Sequence, residues 1–342
     1  MRILDTEVQA VNEPLLQPFG FKGGALTELW QVTCKLTSDL GHTQSGQGIQ
    51  SVLWSDASVF KCMGQDEGNR LMFALTERAL DMLHGEKVTA PPDMIKDIIP
   101  ELWNYGKQIT GNSQLRETFI LNALTPVDWA LWKLYAHAQG CDSFEKLVSP
   151  FVNDFSIHQT RMGNIPLITY HTSQDEIETL AEQGRFLFKI KIGSNPGGRN
   201  NPEEMLQWDM NRLSQIHQIL SAYDTPWTEC GYPVYYLDAN GRYDSMERLL
   251  RLMDYADRIG ALERIVLLEE PFPEQHQNSV AQLPVVVAAD ESAHSAADAV
   301  TLMDDYGFSA ITLKPIAKTL SVSLEVLKEA QTRKIPCFCD RL

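Results

Sequence analysis

Phe188-Lys189-Ile190-Lys191-Ile192-Gly193 is a strand-like stretch in which two lysines alternate with apolar residues. In a β-strand, Lys189 and Lys191 project from the same face, about 6.6 Å apart along the strand. An amphipathic strand with its lysines in water would explain the pattern by itself. The alternative is a buried strand, in which two ammonium groups on one face require anionic partners. The residues that follow this stretch favour the second interpretation.

Short apolar runs alternate with helical patterns from about residue 160 onward. The seven runs span residues 166–170, 186–192, 234–237, 265–268, 285–289, 310–313 and 335–339. Strands that alternate with helices predict a parallel sheet. Seven consecutive units favour a (β/α) TIM-type barrel over a doubly wound sheet. A glycine fingerprint for dinucleotide binding is absent after the first run, which also weighs against the doubly wound alternative.

The N-terminal part of the sequence has a different rhythm, with strands followed by helices. Residues 1 to about 60 are β-rich, and residues 66–84 and 114–140 have helical patterns. The most regular helix is predicted to begin at Thr125-Pro126, because threonine caps helices and proline favours the first helical position. We therefore expect an α+β capping domain over residues 1–158 and a barrel domain over residues 159–342.

Composition narrows the classes of function. The 342 residues carry a formal net charge of −16, and no cluster of Lys and Arg suggests nucleic-acid binding. No apolar run approaches the roughly 20 residues that span a bilayer, and the polar N-terminus does not resemble a signal peptide. The six cysteines lack metal-ligand or disulfide-framework spacing. We expect a cytoplasmic protein with reduced thiols.

Four charged residues each follow directly after one of the apolar runs: Asp238, Glu269, Asp290 and Lys314. In a parallel barrel this position is the C-terminal mouth, where barrel active sites lie. Three carboxylates that converge there would repel one another unless a cation held them. Because the set contains neither histidine nor cysteine, it favours Mg²⁺ over zinc. Each acid alone is also compatible with a helix cap or a turn, but their common position favours a site.

The lysines fit proton transfer beside such a cation. A divalent ion disfavours the charged form of a nearby ammonium group and so lowers its pKa, which allows a lysine to act as a base. Lys191 and Lys314 are expected to come from opposite sides of the barrel and to address the two faces of one substrate carbon. The metal would bind the substrate carboxylate and stabilise the enediolate that forms when the α-proton leaves.

These motifs resemble the enolase superfamily, specifically its muconate-lactonizing-enzyme subgroup with the dipeptide epimerases. The resemblance is carried by Lys189-x-Lys191, Asp238-Ala239-Asn240-Gly241, Glu269-Glu270-Pro271, Ala289-Asp290-Glu291-Ser292 and Leu313-Lys314-Pro315. It implies that Asp238, Glu269 and Asp290 are the metal ligands. It further implies that Lys191 and Lys314 are the acid/base pair and that Lys189 steadies the developing enolate. The stretch from Thr125 to Trp132 is also similar to the capping-domain helix of that family.

Three functions are compatible with these residues. The first is a Mg²⁺-dependent racemase or epimerase for a small carboxylate substrate, such as a dipeptide or an N-acyl amino acid. The second is a lyase or cycloisomerase with the same site, similar to succinylbenzoate synthase or muconate cycloisomerase. The third is a barrel scaffold that binds a ligand without turnover. Barrels of this kind often assemble, and we expect a homo-oligomer.

Some parts of the sequence depart from the family pattern. Residues 316–321 replace the glycine-containing turn expected after Lys314, and a long insertion separates Lys191 from Asp238. Both border the expected pocket, so they bear on the identity of the substrate rather than on the chemistry. The sequence also stops just after the seventh strand, whereas a barrel needs a last strand to close. We therefore expect the native protein to continue beyond Leu342. His171, near the end of the first barrel strand, is a further candidate for substrate contact or for a structural role.

Overall fold

The structure is a computed structural model that describes residues 1–22, 24–154, 163–194, 197–198, 201–276 and 278–339. The chain end at Asp340-Arg341-Leu342 and part of the insertion after Lys191 lie outside the described residues. No helix in the described ranges is both long enough and apolar enough to cross a membrane. The chain forms two compact units. One comprises Met1–Ser156, His294–Ala296 and Leu313–Leu342, and the other comprises Ile157–Ala293 and Ala297–Thr312.

The N-terminal part of the first unit contains three strands followed by helices. They are β1 (Ile3–Phe21), β2 (Gly24–Ser38), β3 (Thr43–Gln50), α1 (Val52–Ser55), α2 (Ala57–Leu83), α3 (Pro91–Thr110), α4 (Glu117–Ala138) and α5 (Phe144–Val148). The strands form an antiparallel sheet in the order β1-β2-β3. Val32, Cys34 and Leu36 alternate along β2 and are all buried. This period of two places one face of the sheet in a core that α2, α3 and α4 complete.

The predicted start of helix α4 is wrong. The helix does not begin at Thr125-Pro126, because it runs without a break from Glu117 to Ala138 with Pro126 inside it. The prediction is wrong because the buried apolar residues before Thr125 extend the packed face of the helix, so tertiary packing outweighs the local capping signal. Gly48 of β3 allows the sheet to approach the proline ring, since a Cβ there would lie 2.7 Å from Pro126 Cδ.

A buried carboxylate of α4 caps another helix in the same unit. The C-terminal segment of the chain contains α10 (Pro315–Lys318) and α11 (Leu320–Thr332). Asp128 accepts hydrogen bonds from the backbone N–H groups of Leu320 at 2.7 Å and Ser321 at 3.1 Å, and a further one from the Ser321 hydroxyl. Burial raises the pKa of Asp128 to about 6, although these donors oppose the shift. A side chain from the N-terminal part of the chain therefore caps the start of α11.

We expect this carboxylate to make stability depend on pH. Because the pKa of Asp128 is raised in the folded state, the native protein retains the proton to a higher pH than the unfolded chain. Its contribution to the free energy of unfolding therefore falls as pH rises from about 4 to 6. Between pH 5 and 7.5, wild type should lose on the order of 1 kcal/mol relative to Asp128→Asn in urea unfolding. Asp97→Asn changes an exposed carboxyl group, so this variant should lose stability with rising pH to the same extent as wild type. Parallel pH profiles for wild type and Asp128→Asn would contradict the expectation.

The second unit has the alternation of strands and helices that the sequence predicts. Its helices are α6 (Gln174–Glu182), α7 (Pro202–Leu220), α8 (Met246–Arg258) and α9 (Ala296–Asp304). Each of the seven predicted runs corresponds to a strand. Six strands begin in this unit: β4 (Leu167–Ile168), β5 (Leu187–Lys191), β6 (Val234–Asp238), β7 (Ile265–Glu269), β8 (Val287–Ala289) and β9 (Ala310–Leu313). The seventh, β10 (Cys337–Cys339), belongs to the first unit. Strands β4 to β9 are neighbours in sequential order in one sheet.

The pairs from β4 to β9 are parallel, as predicted. All five residues of β6 are buried, which is typical of a parallel strand covered on both faces. Because the chain runs in the same direction through each of these strands, their carboxyl ends meet at one edge of the sheet. That edge carries the acids that the sequence analysis singled out.

Candidate active site

Three of the predicted residues lie in one row across neighbouring strands. Lys191 is the last residue of β5 and pairs in register with Asp238, the last residue of β6. Asp238 in turn pairs in register with Glu269, the last residue of β7. Side chains in one row of a parallel sheet project to the same side. The sheet therefore brings one lysine and two carboxylates together at the carboxyl ends of three strands.

The two lysines of β5 contact these carboxylates directly. Lys189 Nζ lies 3.0 Å from Asp238 Oδ2 and 2.6 Å from Glu269 Oε2. Lys191 Nζ donates to the same Asp238 oxygen at 2.6 Å. Only 8% of the Lys189 side chain and 13% of the Lys191 side chain are exposed. Lys189 is buried, Lys191 is partly buried, and both pair with acids, so the solvent-exposed amphipathic strand is excluded.

The lysines also determine the protonation of Asp238. Burial by itself raises the pKa of this carboxyl group, but the charges of Lys189 and Lys191 outweigh that effect. The net result is a pKa held well below its ordinary range. Asp238 is consequently a carboxylate at neutral pH, which is the form that binds a cation.

Tyr236 adds a hydroxyl group beneath this row. It pairs in register with Lys189 and precedes Asp238 by two residues, so it shares a face with both. Its hydroxyl donates to Glu269 Oε2 at 2.6 Å, and Lys189 Nζ donates to the hydroxyl at 3.5 Å. The Lys189 ammonium also lies 4.6 Å from the centre of the tyrosine ring. Tyr236 thus orients both Lys189 and Glu269.

Asn240 connects Lys191 to another buried acid. Its amide oxygen accepts from Lys191 Nζ at 2.6 Å, and its amide nitrogen donates to Glu291 Oε1 at 3.1 Å. The backbone of Asn240 has a φ of +44°, a conformation that asparagine tolerates better than most residues. This conformation of the turn after β6 places the Asn240 side chain within hydrogen-bond distance of Lys191.

Glu270 fixes the turn that carries Asp290. Its Oε2 accepts from the Asp290 backbone N–H at 2.8 Å and from the Ser292 hydroxyl at 3.0 Å. Asp290 follows β8 directly and is fully buried. Burial, with the neighbouring charges of Glu291 and Asp290, raises the pKa of Glu270 to about 7. Negative charge is thus concentrated at this edge of the sheet beyond what the two lysines neutralise.

The donor set fits a hard divalent cation. Asp238 and Glu269 both lie against one ammonium group, that of Lys189, so a positive charge already stands between their oxygens. Carboxylate oxygens are the ligands that Mg²⁺ prefers. Within the described residues, Asp238, Glu269 and Asp290 are not a group whose ligand atoms all lie within 4.8 Å of one another. The role of these three as a common ligand set therefore stays a prediction.

Lys314 belongs to the first of the two units. It follows β9 directly and is 4% exposed. Its ammonium lies 5.5 Å from the ring centre of Trp54, which is itself buried. Lys22 of the same unit donates to the Trp54 carbonyl at 3.1 Å. His171, the further candidate, is exposed in the turn after β4.

Several residues of the site were not assigned a role from the sequence. Glu270, Glu291 and Asn240 stand inside the quoted motifs, beside the predicted ligands, and this adjacency was the available signal. Tyr236 had a weaker signal, because a residue two positions before Asp238 in a strand shares its face. Their contacts depend on residues 20 to 51 positions away in the chain, and no local pattern predicts such contacts.

Comparison with known proteins supports the interpretation of the fold. No protein-family model matches the chain. The sequence is similar to a hydrophobic dipeptide epimerase from Citrifermentans bemidjiense, with 24% identity over 346 residues. That alignment covers 98% of this chain and 80% of the relative.

Solved structures give the same result with lower identity. A mandelate racemase/muconate lactonizing protein from Herpetosiphon aurantiacus has a TM-score of 0.68 and 19% identity, with coverage of 100% of this chain and 82% of that one. The L-Ala-D/L-Glu epimerase from Bacillus subtilis has a TM-score of 0.68 and 17% identity, with coverage of 99% and 82%.

A dipeptide epimerase from Cytophaga hutchinsonii, in complex with Mg and the dipeptide D-Ala-L-Val, has a TM-score of 0.68 and 15% identity, with coverage of 99% and 79%. The predicted resemblance to the enolase superfamily is confirmed by these similarities. The predicted fold, a capping domain with a TIM-type barrel, is confirmed with it.

Proposed function

We propose that this chain, which has the fold of the enolase superfamily, is a Mg²⁺-dependent epimerase that inverts the α-carbon of a dipeptide or a related carboxylate. The observation that carries the proposal is the row formed by Lys191, Asp238 and Glu269 at the ends of adjacent parallel strands. The row places the Lys191 amine 2.6 Å from Asp238, a proposed ligand, so a group that can transfer a proton lies beside the proposed cation site. The similarity to a dipeptide epimerase narrows the substrate class.

The proposed roles follow from what each side chain contacts. Lys191 removes or returns the α-proton on one face of the substrate carbon, and Asn240 and Asp238 hold its Nζ in place through hydrogen bonds. Lys314, which follows β9, is proposed to do the same on the opposite face. Lys189 has its ammonium between Asp238 and Glu269 and supplies positive charge near the developing enolate.

The cation would be held by Asp238, Glu269 and Asp290. When bound, Mg²⁺ supplies Lewis-acid stabilisation of negative charge on the substrate carboxylate. The protein's own contribution is to orient these acids. The Tyr236 hydroxyl donates to Glu269, and the Glu270 carboxylate accepts the backbone N–H of Asp290.

Exchange of the α-proton with solvent tests the proposal. The purified protein, incubated with Mg²⁺ and a panel of dipeptides and N-acyl amino acids in D₂O, should place deuterium at the α-carbon of both substrate and product. Proton NMR and mass spectrometry measure the incorporation. Removal of the metal with EDTA should stop the exchange, and renewed addition of Mg²⁺ should restore it. Absence of exchange from every member of the panel would refute the proposed reaction.

We also propose an assembly state and a cellular location for the protein. We propose a homo-oligomer, because most soluble assemblies of enzymes are symmetric homo-oligomers. Light scattering of the native protein gives the mass that decides this point. A cytoplasmic location is proposed from the spacing of the six cysteines, which is not that of a disulfide framework.

A further inference from the structure

Asp209, a residue of α7 that no motif marks, is fully buried in the second unit. Its carboxylate accepts the backbone N–H of Gly193 through both oxygens, at 3.0 Å and 2.9 Å. It also accepts the backbone N–H of Ser194. The hydroxyl of Tyr243, also buried, donates to Asp209 Oδ2 at 2.7 Å. We call these four residues the Asp209 clamp.

The clamp holds the chain immediately after Lys191. Gly193 has a φ of +81°, a conformation that favours glycine. A Cβ at Gly193 would lie 2.5 Å from Arg242 Cβ, so the loop after β5 is packed directly on the turn after β6. Arg242 Nε also donates to the Gly193 carbonyl at 3.2 Å. No side chain larger than hydrogen fits between these two segments without displacement.

The residue between Lys191 and Gly193 is held as well. The Ile192 N–H donates to the Asp238 carbonyl at 3.0 Å, and the Ile192 carbonyl accepts from the Tyr170 hydroxyl at 3.0 Å. Both backbone polar groups of Ile192 and of Gly193 therefore have partners. A segment with this number of fixed backbone bonds has little freedom to move. The position of Lys191 is consequently coupled to the turn that follows Asp238.

Burial of a carboxylate costs free energy that an apolar side chain of similar size would not. Burial raises the pKa of Asp209 to about 7, although the Tyr243 hydroxyl and the two backbone N–H groups oppose the shift. An apolar residue would avoid this electrostatic cost. An apolar residue would, however, leave the N–H groups of Gly193 and Ser194 and the Tyr243 hydroxyl without their acceptor. The acceptor function therefore accounts for an acid at this position.

We propose that Asp209 is a positioning residue that sets the geometry of Lys191 relative to Asp238. It does so because it bridges the loop after β5, through Gly193 and Ser194, to the segment after β6, through Tyr243. It does not touch the reacting atoms. The inference rests on the proposed function for its effect on turnover, whereas its effect on the backbone and on the Lys191 amine is independent of any substrate.

Asp209→Asn is the main test variant, because the amide preserves the shape but keeps only one strong acceptor oxygen. Hydrogen-exchange mass spectrometry should show faster exchange in the peptide that contains Gly193 and Ser194. Labelling of Lys191 by acetic anhydride should rise several-fold. Glu204→Gln makes the same chemical change on an exposed position of the same helix and should leave both readouts unchanged. Tyr243→Phe, which removes one donor, should give an intermediate result.

Turnover provides the second readout. Displacement of a proton-transfer group by about 1 Å costs on the order of 10²-fold. With Asp209→Asn, α-proton exchange should fall by about 10- to 100-fold for the epimer that Lys191 deprotonates and should change little for the other epimer. A merely structural role would lower the two exchange rates equally, and that result would overturn the inference.

The two proposals fail in different ways. If the wild-type protein exchanges no α-proton, the proposed function fails, and the hydrogen-exchange and labelling experiments still decide whether Asp209 positions Lys191. If those two readouts match wild type in both Asp209→Asn and Tyr243→Phe, the positioning role is wrong. Thermal unfolding of each variant verifies that the protein is folded, and Tyr243→Phe keeps the test decisive if Asp209→Asn does not fold.

Discussion

Replacement of Asp238 by Asn is expected to lower turnover by about 10³-fold and to abolish Mg²⁺ binding. Asp238 Oδ2 contacts the ammonium groups of both Lys189 and Lys191, and the residue is 1% exposed. Asparagine keeps the shape but removes the negative charge on which both functions depend. Steady-state kinetics and isothermal titration calorimetry with Mg²⁺ measure the two losses.

The same substitution should also reduce stability. The buried Lys189 ammonium and the partly buried Lys191 ammonium would lose a shared counter-charge, and loss of one partner from a buried ion pair costs about 3–5 kcal/mol. Asp244→Asn is a suitable control, because Asp244 is exposed and pairs with Arg248 on the surface. It should keep turnover within about twofold and stability within about 0.5 kcal/mol. An Asp238→Asn protein that is folded and binds Mg²⁺ with wild-type affinity would remove Asp238 from the ligand set.

Replacement of either Lys191 or Lys314 by Met is expected to slow epimerisation in both directions by about 10²- to 10⁴-fold. Inversion needs one group to remove the proton and another to supply it on the opposite face. Exchange without inversion needs only one group. Each variant should therefore still exchange the α-proton of one epimer, and the two variants should retain opposite epimers.

Proton NMR in D₂O, with each pure epimer supplied separately, measures these rates. Lys328→Met removes an exposed lysine from α11 and should behave as wild type. A lyase or cycloisomerase would give a different pattern, in which replacement of one lysine abolishes proton removal and replacement of the other only slows the reaction. Retention of the same epimer by both variants would contradict the two-face arrangement. Lys191→Met leaves Asp238 paired with Lys189, so the variant is expected to fold.

Much of the barrel was predictable, because the signals are local. Each strand from β4 to β10 corresponds to an apolar run that a helical pattern or a turn bounds, and the acids stand where those runs end. The period of two in β5 indicated that Lys189 and Lys191 share a face, and both contact Asp238. The N-terminal sheet was likewise visible as alternation in β2.

The helices of the first unit were less predictable. Helix α3 was missed altogether, although Pro91-Pro92 at its start is a typical initiation signal. Helix α4 was given a wrong start, because Thr125-Pro126 carries a strong local signal that packing against the sheet overrides. The capping of α11 by Asp128 joins residues 192 positions apart, and sequence spacing contains no information about such a pair.

The sequence by itself determined that parallel strands end in acids and lysines, because strand period and run length are properties of neighbouring residues. Only the tertiary structure decided how these groups meet: that the Lys189 ammonium lies between Asp238 and Glu269, and that Asp209 holds the backbone beyond Lys191. The physical reason is that hydrogen bonds and ion pairs act over about 3 Å. Which distant residues come that close is set by how helices and strands pack, not by their order in the chain.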